Sequence, residues 1–244
     1  MVRCLVFLFN HFSWALSYVT GAPHIFESIK QKDVVMRLVE LLHHSNINVQ
    51  TPALRSVGNL LTGNETEMFL SCGVLNRFTA MFEHPKKGIR KEVIWALSNI
   101  TAGSRKQIQA VIDAEIFPKL LIMLSPVCNE TVDIRKEIYY VCTNALAGGN
   151  DAQVQYLIEH SVIQQLCGGL DVDSNFLTVL LEGLESILKY GERTGTLKEV
   201  TKIIEDCGGL ARIEELKHHR KEAVCEITLR ILESIGKLSK KDAR

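Results

Sequence analysis

The sequence predicts an all-α fold built as a solenoid of repeats about forty residues long. Three observations lead there. A short template recurs along the chain, apolar residues at three- and four-residue spacing fill the intervals between its copies, and nowhere does convincing strand-like alternation appear.

The template copies are Trp14-Ala-Leu-Ser-Tyr18, Arg55-Ser-Val-Gly-Asn59, Trp95-Ala-Leu-Ser-Asn99 and Tyr140-Val-Cys-Thr-Asn144, with a weaker fifth at Glu182-Gly-Leu-Glu-Ser186. Their fifth positions lie 41, 40, 45 and 42 residues apart. That period fits armadillo or HEAT repeats and is too long for leucine-rich or tetratricopeptide repeats. A second echo, Ile89-Arg90-Lys91-Glu92-Val93 against Ile134-Arg135-Lys136-Glu137-Ile138, is offset by 45 residues and agrees on the register. Between the copies, Val111 to Leu124 has counterparts at Leu157 to Leu170 and Ile203 to Leu216. Each reads as a short helix ending at a small or polar residue and then a second helix, with the template segment as the third. Three helices per repeat point to armadillo rather than HEAT, a right-handed superhelical solenoid. The expected division is a partial repeat over 1–22, repeats over 23–63, 64–103, 104–148, 149–191 and 192–238, and a charged tail over 239–244.

Local signals mark the helix ends. Gly63, Gly103 and Gly148 each fall four residues after the template Asn, where a left-handed cap is expected. Pro23, Pro52, Pro85, Pro118 and Pro126 fall near junctions or first turns, where a missing N–H costs little. Residues 1–22 carry a third-helix template without its two partners, so Phe7, Leu8, Phe9 and Phe12 call for a preceding repeat or a covering partner.

Composition narrows the function classes. A chain that is 46% hydrophobic and 23% charged is expected to bury a core, and Lys+Arg 28 against Asp+Glu 28 leaves no net field for holding nucleic acid or an anionic membrane. Seven scattered cysteines without a CxxC pair read as buried thiols in a reducing compartment. The apolar run after Arg3 is broken by Asn10 and His11, so it is not read as a signal peptide, and no run is long enough to span a bilayer. His43-His44 and His218-His219, placed on helices, would diverge by about 100°, which is poor metal geometry. There is no phosphate loop and no nucleophile elbow, so neither an enzyme nor a cofactor is expected.

The template instead suggests a binding ladder. Third helices line up on the inner face of a three-helix repeat, so positions one and five form two columns: Trp14/Tyr18, Arg55/Asn59, Trp95/Asn99, Tyr140/Asn144 and Glu182/Ser186. Asn is a mediocre helix former, and its recurrence at one phase calls for a purpose. Its amide can grip the main chain of an extended peptide, while aromatic rings on successive helices form slots for Lys or Arg stems. Glu92 and Glu137 precede Trp95 and Tyr140 by three residues and would meet the cation at the slot's end. The plain alternative is that the ring is core, the Asn packs between repeats and the Glu solvates the surface.

These residues resemble importin alpha, the armadillo adaptor of nuclear import. Thr51-Pro-Ala-Leu-Arg55-Ser-Val-Gly-Asn59, Trp95 to Gly103 and Ile204 to Glu214 look like its later repeats, and Tyr18 and Arg55 stand where that family has its two irregular rungs. The resemblance covers about Ser13 to Gly236 and implies repeats five to ten. It implies that Asn59, Gly63, Glu92, Trp95, Ser98, Asn99, Glu137 and Asn144 fall on the minor site for nuclear localisation signals. Tyr140 and Met68 depart from the family pattern. The resemblance further implies lysine/arginine-rich signal peptides as partners, contact of the last repeat with the nuclear export factor and Ran-GTP, and residence in cytoplasm and nucleus. The chain is expected to be a shortened member without the importin-beta-binding arm and the major site. An armadillo scaffold for other protein partners is the alternative; it would not need an Asn column flanked by Trp and Glu.

Overall fold

A computed structural model describes residues 31–63, 66–170 and 176–241, with side chains up to 236. Trp14, Tyr18, the partial repeat over 1–22 and Cys4 lie outside the described residues. Those described form helices and turns without a strand. The helices are α1 (Lys32–Leu41), α2 (Ile47–Leu60), α3 (Thr66–Ser71), α4 (Val74–Met81), α5 (Lys87–Thr101), α6 (Arg105–Asp113), α7 (Ile116–Met123), α8 (Val132–Gly148), α9 (Asp151–Glu159), α10 (Val162–Gly169), α11 (Leu177–Thr194), α12 (Leu197–Asp206), α13 (Gly209–Glu215) and α14 (Glu222–Lys241). From α3 onward they run as two short helices followed by a long one. The template copies from Arg55 onward lie in the long helices α2, α5, α8 and α11.

The chain forms two compact units. One contains the described residues up to Ile116 together with Thr131–Glu137, and the other contains Phe117–Glu130 and the residues from Ile138 on. In the first, α2 packs beside α5, burying Leu54, Val57, Val93, Ile94 and Leu97. In the second, α11 packs beside α14 around Leu184, Ile187, Val224 and Ile231. There Tyr139 is buried and stacks on Phe176 with ring centroids 5.8 Å apart, a geometry that adds to the gain from burial alone.

The turn from the first short helix to the second is the most regular local feature. Gly73, Glu115, Ser161 and Gly208 each stand immediately before a second helix with positive φ, at 77°, 53°, 67° and 73°. They are spaced 42, 46 and 47 residues apart, so the left-handed residue recurs once per repeat. This corrects the expectation for Gly63, Gly103 and Gly148, none of which has positive φ. The long helices α2 and α5 instead end in right-handed turns, as at Ala102 with φ −75°, while α11 ends at Gly195, left-handed with φ 82°. The chain then enters the next helix through a capping box: Ser104 with Gln107 at α6, and Asn150 with Gln153 at α9. A side chain at Gly103 would have to push aside the Gln107 amide that closes the first of these boxes. A Cβ on it would stand 1.7 Å from Oε1 of Gln107.

Two further expectations change. Pro52 lies inside α2 rather than at its start, and the N–H it lacks would have served the carbonyl of Asn48, an exposed residue whose carbonyl water can reach. The histidine pairs do not project from α-helices. His44 and His219, together with His84, stand before long helices, where Nδ1 accepts from the backbone N–H of Asn46, Lys221 and Lys86 at 3.0, 3.1 and 3.1 Å. These rings order the entry into the third helix. Of the six described cysteines, all free, only Cys142 and Cys167 are buried, while Cys128 is exposed in a surface 3-10 turn. Burial pushes the Cys142 thiol up to about 12.

A β-carbon in the left-handed region costs about 1–2 kcal/mol, which glycine avoids. Glu115→Gly should therefore raise the melting temperature, with a gain of up to about 1 kcal/mol after the extra entropy of the unfolded chain is subtracted. Gly73→Ala should lower it by a similar amount. Thermal denaturation followed by circular dichroism tests both; a loss of stability for Glu115→Gly would show that this turn needs the side chain.

Candidate functional site

In the first unit the candidate site begins with a missing side chain. Gly58 sits on α2 under the ring of Trp95 from α5, and a Cβ on it would lie 2.2 Å from Cζ3 of that ring. The template's fourth position is small in four copies, Ser17, Gly58, Ser98 and Thr143, and at Gly58 the reason is close approach between neighbouring long helices. Trp95 is half-buried.

Asn99 lies one helical turn after Trp95, and its Nδ2 donates to the carbonyl of Gly58 at 3.0 Å. That carbonyl belongs to the last turn of α2, where helical partners run out. Around it, the Val57 carbonyl accepts from the N–H of Leu61, the Asn59 carbonyl from the N–H and hydroxyl of Thr62, and the Leu60 carbonyl from the N–H of Gly63. Asn99 thus caps the preceding repeat's long helix from the side. An amide has two N–H donors and an acceptor, so this bond uses one part of its capacity. Asn99 therefore has a packing role, as the plain alternative held for the template Asn.

Arg55 completes the arrangement. Its Nε donates to Oε2 of Glu92 at 2.7 Å and its Nη2 donates to Oε1, so the guanidinium forks onto both carboxylate oxygens. Its Cζ lies 5.8 Å from the centroid of the Trp95 ring, within cation–π range. Glu92 is mostly covered, with 19% of its side chain exposed, while 46% of the Arg55 side chain is open to solvent.

The other candidates in this unit are Asn59, Gly63, Ser98 and Glu137. Asn59 and Gly63 are half-buried at the end of α2, and Ser98 is buried with its hydroxyl donating to the carbonyl of Trp95 at 2.8 Å. Glu137 is half-buried on α8. Burial holds its carboxyl above the ordinary value, opposed by the positive charges of Lys91 and Lys136 and assisted by the negative charges of Asp133 and Glu92. Lys91 itself pairs with Asp133 at 3.3 Å. In the second unit Tyr140 and Asn144 are half-buried on α8, at the same template positions as Trp95 and Asn99.

Gly58 was missed in the sequence, although the run of small residues at template position four signals it. The Arg55–Glu92 pair was missed too: its signal is an Arg at position one of a copy and a Glu three residues before position one of the next. Among the described residues no group of three His, Cys, Asp or Glu side chains could hold a metal ion, and no helix is long and apolar enough to cross a membrane.

Comparison with known proteins places this geometry. Residues 65–102 match an armadillo/beta-catenin-like repeat and residues 198–234 an atypical Arm repeat. The chain is 39% identical over 231 residues to importin subunit alpha-4 of Arabidopsis thaliana, covering 90% of this chain and 42% of that protein. It is 38% identical over 230 residues to importin subunit alpha-1a of Oryza sativa subsp. japonica, covering 91% and 43%. The chain therefore spans less than half the length of these curated relatives. Among solved structures, a designed armadillo repeat protein superimposes with a TM-score of 0.80 at 22% identity, covering 92% of each chain. Another, in complex with the peptide (KR)4, superimposes with a TM-score of 0.79 at 23% identity, covering 92% of this chain and 90% of that one. The fold is an all-α armadillo solenoid.

Proposed function

We propose that this chain, an importin-alpha-like armadillo protein, is a nuclear import adaptor that binds extended lysine/arginine-rich nuclear localisation signals on its Trp/Asn ladder. The observation that carries the reading is the pose of Arg55. A guanidinium lies against Trp95 and forks onto Glu92, so the chemistry wanted for a cargo cation already engages a cation within the chain. The Asn99 amide, one helical turn away on α5, suits the main chain of a peptide and complements side-chain capture. A designed armadillo protein of similar fold was solved with the peptide (KR)4, which supports a basic peptide as the ligand class.

Within the first unit the reading assigns peptide contacts to Arg55, Asn59, Gly63, Glu92, Trp95, Ser98, Asn99 and Glu137, and in the second to Tyr140 and Asn144. It extends them to Trp14 and Tyr18, the same template positions in the first copy. An adaptor of this kind works in the cytoplasm and the nucleus. The reading also gives residues 204–236 a contact with the nuclear export factor in complex with Ran-GTP. A pull-down at micromolar protein should retain this chain on that complex; its absence from the bound fraction would remove the contact and leave the peptide site standing.

The main test titrates a fluorescent lysine-rich signal peptide and its alanine-substituted form against Trp95→Ala and Asn99→Ala, read by anisotropy. Trp95→Ala removes about 0.5–2 kcal/mol of cation–π attraction per gripped lysine and should matter little for the alanine peptide. Asn99→Ala removes main-chain hydrogen bonds of roughly 0.5–1.5 kcal/mol each and should cost both peptides alike. It should also lower the protein's own stability, because the Gly58 carbonyl loses its cap. Unchanged affinity in a folded Trp95→Ala protein with a large fall in melting temperature would make Trp95 a packing residue and favour a scaffold for other partners.

A pH dependence follows from Glu137. Because its folded value is raised, the group disfavours the folded state when ionised, and that penalty disappears as falling pH protonates it. The same protonation removes a carboxylate from the site. Affinity for the lysine peptide should therefore drop on acidification at a higher pH than an ordinary glutamate would give, and Glu137→Gln should remove that early step. Anisotropy titrations at stepped pH check this; identical pH profiles for the native chain and Glu137→Gln would exclude Glu137 from binding.

A further inference from the structure

We propose that Ser125 is a phosphorylation site, the acceptor for a protein kinase that requires a proline directly after the serine it modifies. The inference stands apart from the peptide-binding reading and is carried by the turn between α7 and α8.

Two of the chain's prolines follow a hydroxyl residue, in Thr51-Pro52 and Ser125-Pro126, and the fold treats the two pairs differently. Thr51 and Pro52 lie inside α2, with Pro52 buried and with Val49, Ala53 and Leu54 of the same helix in the core. A kinase holds its acceptor segment extended, so reaching Thr51 would unwind that helix and open the core it covers. Ser125 needs no such opening. The connection 124–131 is three residues longer than the connections 42–46 and 82–86, which stand at the same place in two other repeats. After half-buried Ser125, the residues from Pro126 to Asn129 are all exposed, Val127 at 91%.

The local backbone suits the enzyme. Ser125 has φ −59° and ψ 139°, the extended conformation that a following proline imposes. Pro126 has no N–H, so an apolar wall can cover it without burying an unpaired donor, and exposed Val127 continues the apolar surface. Beyond it the chain closes a 3-10 turn. The Ser125 carbonyl accepts from the N–H of Cys128 at 3.0 Å, and the Pro126 carbonyl from the N–H of Asn129 at 3.2 Å. Opening this short turn exchanges those bonds for bonds to water and leaves α7 and α8 intact. Val127, Cys128 and Asn129 carry no positive charge, so recognition rests on the Ser-Pro pair rather than on a cation after it.

In the reaction, Oγ of Ser125 attacks the γ-phosphorus of ATP. The new O–P bond forms as the bond to the β,γ-bridging oxygen breaks, ADP leaves with that electron pair, and the kinase's catalytic Asp takes the hydroxyl proton. Phosphoserine carries a charge of about −1.5 to −2 at neutral pH. From Ser125 to Asp133 the chain has Glu130 and Asp133 and no Lys or Arg, so modification converts this turn into a strongly acidic segment.

The test incubates the full chain with ATP, magnesium and an active mitogen-activated protein kinase whose competence is verified on a Ser-Pro peptide, and maps the products by mass spectrometry. Phosphate should appear on Ser125 and not on Thr51. Ser125→Ala should lose that label, Ser125→Thr should keep it, and Pro126→Ala should accept phosphate about tenfold more slowly, as loss of apolar contact in an enzyme pocket implies. Melting temperatures of all three variants should stay near native, because the turn lies outside the α-helices. Absence of phosphate on Ser125, equal labelling of Thr51, or equal rates for the native chain and Pro126→Ala would overturn the proposal.

Discussion

The close approach of α5 to α2 at Gly58 is the constraint on which the first unit's site depends. Without a side chain there, the Trp95 ring can lie on the backbone of the preceding long helix, and Asn99 then reaches the Gly58 carbonyl at 3.0 Å. The two contacts share one glycine. A methyl group at that place would stand 2.2 Å from the ring, so the indole would have to leave its seat and the spacing that lets Asn99 cap α2 would be disturbed. Packing and the candidate ladder therefore use the same atoms.

This dual use explains why a recurring Asn does not by itself decide between a structural and a binding role. A polar amide in the middle of a helix is a poor choice for local stability, yet here it satisfies a carbonyl at a helix end that no backbone N–H serves. One hydrogen bond ties Asn99 to the preceding long helix, and an amide has capacity for more. Solenoids favour such arrangements because each repeat is stabilised chiefly by its neighbours. Surface ties at one-repeat spacing, such as Lys106 to Glu67, Arg193 to Asp151 and Arg230 to Glu185, add little each in solvent but recur along the chain.

Much of the fold was legible in the sequence because a repeat states its period several times. The spacing of Asn59, Asn99 and Asn144, with the Ile-Arg-Lys-Glu echo, gave the helical solenoid and its register. The turns were less legible. Glycines at 63, 103 and 148 suggested left-handed caps; the long helix α11 has one at Gly195, but the left-handed residue that recurs from repeat to repeat belongs to the turn before the second helix and is Glu115 or Ser161 in two of four. A side chain at positive φ is unusual enough that composition points elsewhere. The histidines misled for a related reason: paired letters suggested a helical face, whereas Nδ1 of the second member accepts the backbone N–H two residues later.

The residue types of the proposed ladder stand in the sequence, but the state of each group does not, because that depends on contacts between repeats. Glu92 and Arg55 are 37 residues apart, and no local pattern joins them. Once α2 and α5 are side by side, Coulomb attraction across a partly covered carboxylate makes their pairing the favoured arrangement. A sequence reading sees an acid waiting for a ligand's cation; the folded chain has already supplied one. On the proposed function, recognition is then a competition between the ligand's charges and the chain's own. Arg55 stands at a position where Trp14, Trp95 and Tyr140 are aromatic, so the pair it makes with Glu92 is particular to that copy of the template.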